Sequence, residues 1–194
     1  VVYCLHMISA LFINRPFWHL EENTERRKTM KAIIERSLLE MQDALHRKEL
    51  SSRELVMEYL GRIAAYDQCE GGLKSLAEIN PDALFIADSL DQMRQQDQKL
   101  GPLHGIPVML KDNIETGDKM ATTAGSLALA DNFAAADATV VKKLRDAGAL
   151  ILGKLNLSEF AQFLSSKSPS GYSSRGGQVL NPYAPGQETP GGSS

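Results

Sequence analysis

The stretch Gly101-Pro-Leu-His-Gly-Ile-Pro-Val-Met-Leu-Lys-Asp-Asn-Ile114 decides how this chain is to be read. Ile106 to Leu110 is a short apolar run of buried-strand type, approached through Pro102 and Gly105 and carrying Pro107 only at its start. It ends on Lys111, a charge at the point where the strand should finish. Side chains alternate across a strand, so Lys111 and Asp112 are predicted to point to opposite faces. The neighbouring carboxylate is then badly placed to hold the ammonium protonated. Lys111 is a candidate base if its surroundings are dry; the plainer alternative is a solvated lysine at a strand end.

Outward from this strand the chain alternates helical and strand-like patterns. Ile34, Leu38, Met41 and Leu45 fall on one helical face. Ser51 and Glu54 form a capping box ahead of a second helix that buries Leu55, Val56, Tyr59, Leu60 and Ile63. Pro81 stands at the start of another, with Ala83, Ile86, Ala87, Leu90 and Met93 on its inner face. Downstream of Lys111 comes a loop containing Thr122-Thr-Ala-Gly-Ser126. Asp137 is then placed to cap a helix that buries Val140, Val141 and Leu144 and stops at Gly148. Ala149 to Leu152 is a wholly apolar strand. Strand, helix, strand in that order predicts a parallel pair within an α/β sheet. Asn156-Leu-Ser-Glu159 opens a further short helix, and Ser165 to Gly177 is rich in Ser and Gly. Yet Tyr172, Arg175, Gln178, Val179 and Tyr183 are not linker residues, and a long loop carrying such side chains is more often functional than idle.

Composition narrows the function classes. The 194 residues are 43% hydrophobic and 23% charged, enough for one globular domain, and the net charge of -3 offers no basic field for nucleic acid or anionic lipid. Nucleic acid and membrane are therefore not expected partners. Cys4 and Cys69 lack metal-ligand spacing and are too few for a disulfide framework, which fits a reducing, cytoplasmic compartment. His6, His19, His46 and His104 are scattered, so neither a metal nor another cofactor is expected. For His104, near the lysine strand, a hydrogen bond to backbone is the expected role.

Gly148-x-x-x-x-Gly153-Lys154 has the spacing of a phosphate-binding P-loop, the remote alternative of a nucleotide-binding module. Leu155 stands where a Mg²⁺ ligand should be Ser or Thr, and Ala-Leu-Ile-Leu between the glycines favours a strand over a loop of exposed amides. A helix C-cap followed by a buried strand accounts for both glycines.

The first residue is Val1, and Val1 to Ile13 is apolar but too short to span a bilayer and lacks preceding basic residues. Residues 1–29 are expected to be a tail or upstream segment, with Met30 opening the periodic part. Residues 30–194 are expected to be the N-terminal part of a larger domain, because the chain stops inside the glycine-serine block Pro190-Gly-Gly-Ser-Ser194.

Taken together, Gly101-Pro-Leu-His-Gly-Ile-Pro-Val with Lys111-Asp-Asn, Thr123-Ala-Gly-Ser126, Gly153-Lys154, Asn156 with Glu159-Phe-Ala161, Asn181-Pro and Pro190-Gly-Gly-Ser-Ser194 resemble the amidase signature family over about residues 31–194. Ser170-Gly-Tyr-Ser-Ser-Arg-Gly-Gly-Gln178 with Asn181-Pro-Tyr183 is similar to its peptide-amidase-like branch. The resemblance implies a mixed β-sheet covered by helices, of which this chain is the N-terminal part. It also implies a Ser-cisSer-Lys triad that hydrolyses the amide bond of a small-molecule or peptide substrate through an acyl-enzyme. By the same resemblance Lys111 is the base and Ser193 the relay serine. Gly191, Gly192 and Ser194 belong to the supporting loop, Ala161 lies near the substrate's acyl group, and the nucleophile serine falls past Ser194, so this stretch alone should be inactive. An amidotransferase A-type component that passes ammonia to a partner is the alternative.

Overall fold

Two serines set the first two helices. In the computed structural model, which describes residues 33–96, 100–165, 167–187 and 190, helix α1 (Leu38–His46) is opened by Ser37 and Glu40 in a capping box. Helix α2 (Ser52–Arg62) is opened by the predicted box of Ser51 and Glu54, which exchange hydrogen bonds at 3.1 and 2.8 Å. A π-helical turn, Ile63–Asp67, continues α2. Tyr59 of α2 donates its hydroxyl to the Met41 sulfur, so the two helices touch across a buried contact.

Strand β1 (Leu76–Ile79) leads through Asn80-Pro-Asp into helix α3 (Ala83–Gln95). The turn ahead of the helix is held by Asn80, whose side-chain oxygen accepts from the Asp82 amide at 2.9 Å while its amide group donates to the Ile151 carbonyl at 2.8 Å. Strand β2 (Pro107–Lys111) and strand β3 (Leu150–Leu155) are parallel neighbours, joined by helix α4 (Thr139–Asp146). β1 adds to the other side of β3, antiparallel to it, so the sheet is mixed with the order β1-β3-β2. The predicted strand, helix, strand unit is thus present. β2 begins one residue later than the apolar run and takes in Lys111; Pro107 lies at its first position on an edge, where its missing N–H costs no ladder bond.

The sheet is covered on both faces. Met109, Leu150, Leu152 and Leu155 face a core built with Met41, Leu45, Leu55, Val56 and Tyr59 of the helices before the sheet, together with Ala83 and Ala87 of α3. Leu110 and Ile151, at alternate positions, face Val141 of α4 and Met120. By that alternation Lys111 follows Met109 onto the first face and Lys154 follows Ile151 and Leu110 onto the second, a register break between Val108 and Met109 keeping the strands in step.

Two local expectations need correction. Asp137 does not cap α4, whose N-cap is Ala138 without a side-chain hydrogen bond; its carboxylate instead accepts from the Gly117 amide at 2.8 Å and the Arg145 Nε at 3.0 Å. The short helix predicted from Asn156 is a 3₁₀ turn, Glu159–Gln162, in which Phe160 and Ala161 are left-handed, with φ of 45° and 55°. Its Phe160 amide is taken by the distant Ala124 carbonyl at 2.9 Å, so a non-local partner replaces the helical bond.

The expected C-cap and buried strand are present at Gly148–Lys154, and they remove the nucleotide-binding alternative. Gly148, with φ of 86°, terminates α4 in a Schellman motif: its amide donates to the Arg145 carbonyl and that of Ala149 to the Leu144 carbonyl. Gly153 lies inside β3, where an added Cβ would meet the Glu78 carbonyl at 2.5 Å. The intervening amides belong to a buried strand and cannot wrap a phosphate. Lys154 is fully buried and points away from solvent.

Candidate active site

Lys111 is the last residue of β2, paired in register with Leu155. It is partly buried, and that burial pulls its pKa below the ordinary lysine value because the charged form loses hydration. Asp112 is fully buried and turns to other partners. Its carboxylate accepts from the Thr123 hydroxyl, from the Thr123 amide at 3.2 Å and from Arg175 at 3.1 Å. Its backbone carbonyl accepts from the amides of Thr123 and Ala124, and its amide donates to the Leu155 carbonyl. The residue after Lys111 is thus locked at every polar atom, so the direction in which β2 delivers Lys111 is set.

Behind this point, on the opposite face of the sheet, lies a cluster of buried charge. Arg175 forks between Asp112 and Glu78, reaching the latter at 2.6 Å. Lys154 donates to the Ile114 carbonyl at 2.7 Å and to the Thr122 hydroxyl at 2.8 Å. Burial lowers its pKa, an effect opposed by the attraction of Asp112, Asp118 and Glu78. The loop after Lys111 is therefore pinned from below by β3, and the lysine of the discarded phosphate motif acts as that pin.

Arg175 lies in the turn between strand β4 (Tyr172–Ser173) and strand β5 (Gly177–Gln178), a two-stranded hairpin. The Ser-Gly-rich segment is accordingly not a loose linker. Ser173 donates to Asn156 at 2.6 Å, and Asn156 in turn donates to the carbonyls of Lys74 and Gly177. A Cβ on Gly176 would meet the Asn156 amide nitrogen at 2.4 Å, so only glycine lets the hairpin dock this closely.

Of the residues singled out from sequence, Lys111 has the structure described above. Ala161 is exposed in the left-handed turn, which is linked to the lysine loop because Phe160 bonds Ala124 and Ala124 bonds Asp112. Gly191, Gly192, Ser193 and Ser194 lie outside the described residues, as do the segment 1–29 and Met30. His104 takes the expected backbone role: its Nε2 lies 2.8 Å from the Leu90 carbonyl. Glu78 and Lys154 were missed as members of the site. The available signal was a charge flanked by apolar residues on each of two strands, which in a covered sheet must find a buried partner.

Among the described residues no group of three or more His, Cys, Asp and Glu is arranged to hold a metal ion, and no helix is long and apolar enough to cross a membrane.

The family profile described as Amidase matches residues 54–194. The Arabidopsis thaliana protein named probable amidase At4g34880 is 45% identical over 165 residues, 84% of this chain and 32% of that protein. The A-type component of the glutamyl-tRNA(Gln) amidotransferase of Moorella thermoacetica is 42% identical over 80% of this chain and 30% of its own length. Among solved structures, native peptide amidase from Stenotrophomonas maltophilia superposes with a TM-score of 0.74 at 49% identity, covering 77% of this chain and 30% of that one. The chain spans about a third of the length of these relatives.

Proposed function

Since the chain belongs to the amidase family, we propose that it carries the base and the relay serine of an enzyme that hydrolyses carbon-nitrogen amide bonds, with a peptide amide or small amide as substrate. The observation that carries this reading is the state of Lys111. It ends a strand, burial depresses its pKa, and the adjacent carboxylate is tied to Thr123 and Arg175. A serine hydroxyl is a weak nucleophile and needs an adjacent base. A lysine serves only in its neutral form, which burial favours.

In this proposal Ser193 passes its proton to Lys111 and takes one from the nucleophile serine. That serine attacks the amide carbon, and the proton is returned to the leaving amine as the carbon-nitrogen bond breaks. Water then attacks the acyl-enzyme, with the same pair accepting and returning its proton. Ala161, on the turn hydrogen-bonded to the lysine loop, would border the acyl group.

The test is turnover of an amidated dipeptide and of an aryl amide by the full-length protein, nucleophile serine included, compared with its Lys111→Ala and Ser193→Ala variants. Each variant is expected to lose turnover by about three orders of magnitude or more with a near-normal Tm, as for groups that act as one unit. Near-normal turnover in either would overturn the assignment. The similarity to the A-type component of an amidotransferase favours a second reading, in which glutamine is the amide and ammonia passes to a partner. Glutaminase activity that appears only with a partner present, and no activity on peptide amides, would select it.

A further inference from the structure

The buried charges behind Lys111 are connected in a way that the proposed proton relay does not use. Arg175 is held by its own hairpin, and its amide donates to the Gly125 carbonyl at 3.1 Å. Its guanidinium spans two strands, one nitrogen on Glu78 of β1 and another on Asp112 at the end of β2. Glu78 belongs to β1 and Asp112 directly follows β2, with β3 lying between these two strands, so the arginine ties their ends together past the strand between them. Glu78 also accepts from the Ala121 amide at 3.2 Å, which brings the loop after Lys111 into the same clasp. The charged groups that act on Lys154 of β3 are Asp112, Glu78 from β1, Asp118 from the loop and Arg175 from the hairpin.

A planar fork that serves two carboxylates at once is a geometry lysine cannot reproduce. Glu78 and Asp112 are largely or wholly withdrawn from water, with side-chain exposures of 23% and 0%. Without Arg175 they would repel each other with Lys154 left to offset them, and Asp112, one residue from Lys111, would lose its ion-pair partner.

We propose that Arg175 is a positioning residue for Lys111, acting through Asp112: it fixes the end of β2 against β1 and the hairpin, and it occupies the Asp112 carboxylate. The proposal rests on Lys111 being the base only for its effect on turnover; its effect on the lysine itself can be read without any activity.

Two measurements therefore test it. The first is the pH dependence of Lys111 acylation by a small amine-reactive ester, followed by peptide mass spectrometry. Arg175→Met is expected to raise the pH of half-maximal labelling by about half a unit or more, since a nearby unpaired carboxylate favours the ammonium. The double variant Arg175→Met/Asp112→Asn, which removes both charges, is expected to return it to within about 0.2 units of the wild type. The second is turnover: Arg175→Met should lower kcat about tenfold or more with KM within about threefold, and Arg175→Lys should recover part of the loss.

An unchanged labelling profile in a folded Arg175→Met protein would overturn the proposal. So would a shifted profile that the double variant leaves shifted, since the arginine would then act through general loosening. If the full-length wild type turns over no amide, the proposed function fails while the labelling result still decides the role of Arg175.

Discussion

Lys154 donates to the backbone carbonyl of Ile114 at 2.7 Å, across 40 residues of chain. A fully buried ammonium on β3 thereby fixes the loop that leaves the sheet after Lys111, and its second bond, to Thr122, closes that loop's far side. Lys154→Met keeps the bulk and removes both donors. It leaves the Ile114 carbonyl and the Thr122 hydroxyl without their buried donor and withdraws a cation from Asp112 and Glu78. A loss of about 2 to 4 kcal/mol is expected, read as a lower midpoint in urea denaturation. A midpoint unchanged from the wild type would show that the loop is held by other contacts.

A lysine that works as a base is active when neutral. The lowered pKa of Lys111 places its titration below the ordinary lysine value, so kcat/KM is expected to rise with pH through that lowered pKa and then level off. Lys111→Ala should abolish the rise together with the activity. Lys111→Arg, always protonated, should do the same without changing the charge at low pH. The check is a pH-rate profile of each protein, and a profile of unchanged shape in the arginine variant would contradict the assignment.

Tyr59 supplies a stability prediction remote from the chemistry. Burial pushes its phenol up to about 12, because the phenolate would lose its hydration among Met41 and the helix core. A group whose folded pKa is raised contributes stability that is complete below its unfolded pKa of about 10 and is lost as pH rises through the folded value. Between pH 10 and about 12 this amounts to roughly 2 to 3 kcal/mol. Lys111 and Lys154 contribute with the opposite sign as pH rises, since their folded pKa values are lowered. The difference between wild type and Tyr59→Phe isolates the tyrosine: the variant should be less destabilised by alkali in urea titrations at pH 9, 10 and 11.

Two glycines of the rejected phosphate motif can be tested as structural residues. Gly148→Ala forces a side chain onto a φ of 86° and toward the His104 Cα at 2.7 Å. Gly153→Ala drives a methyl group toward the Glu78 carbonyl. Each should cost more than about 1 kcal/mol. Mg-ATP at millimolar concentration should leave the Tm of the wild-type chain unchanged, whereas nucleotide binding would raise it.

How much of this was available from the sequence depends on the range of the interactions involved. The capping box of Ser51 and Glu54, the C-cap at Gly148 and the apolar strands around Met109 and Ile151 are local or periodic features, decided by residues within a few positions of one another. They could be read directly, and with them the parallel β2–β3 pair and the placement of Lys111 at a strand end. Alternation along β2 also gave the separation of Lys111 from Asp112. The Asp137 cap and the helix after Asn156 failed for the opposite reason: Arg145 with Gly117 in one case, and Ala124 in the other, offered better partners from elsewhere in the chain.

What the tertiary structure alone decided is where the buried charges go. Nothing near Arg175 in sequence points to Glu78, 97 residues away, or to Asp112, 63 residues away. Nor does a lysine preceded by glycine declare whether it holds a phosphate or a loop carbonyl. A charge withdrawn from water must be matched by whichever opposite charge or dipole the folded sheet brings within reach, and that matching is fixed by strand order and register. The sequence by itself determined the elements and the candidate base. The packing of β1, β3 and β2 against the hairpin determined which charges neutralise one another, and so left Lys111 partly buried beside an Asp112 already bound to Arg175.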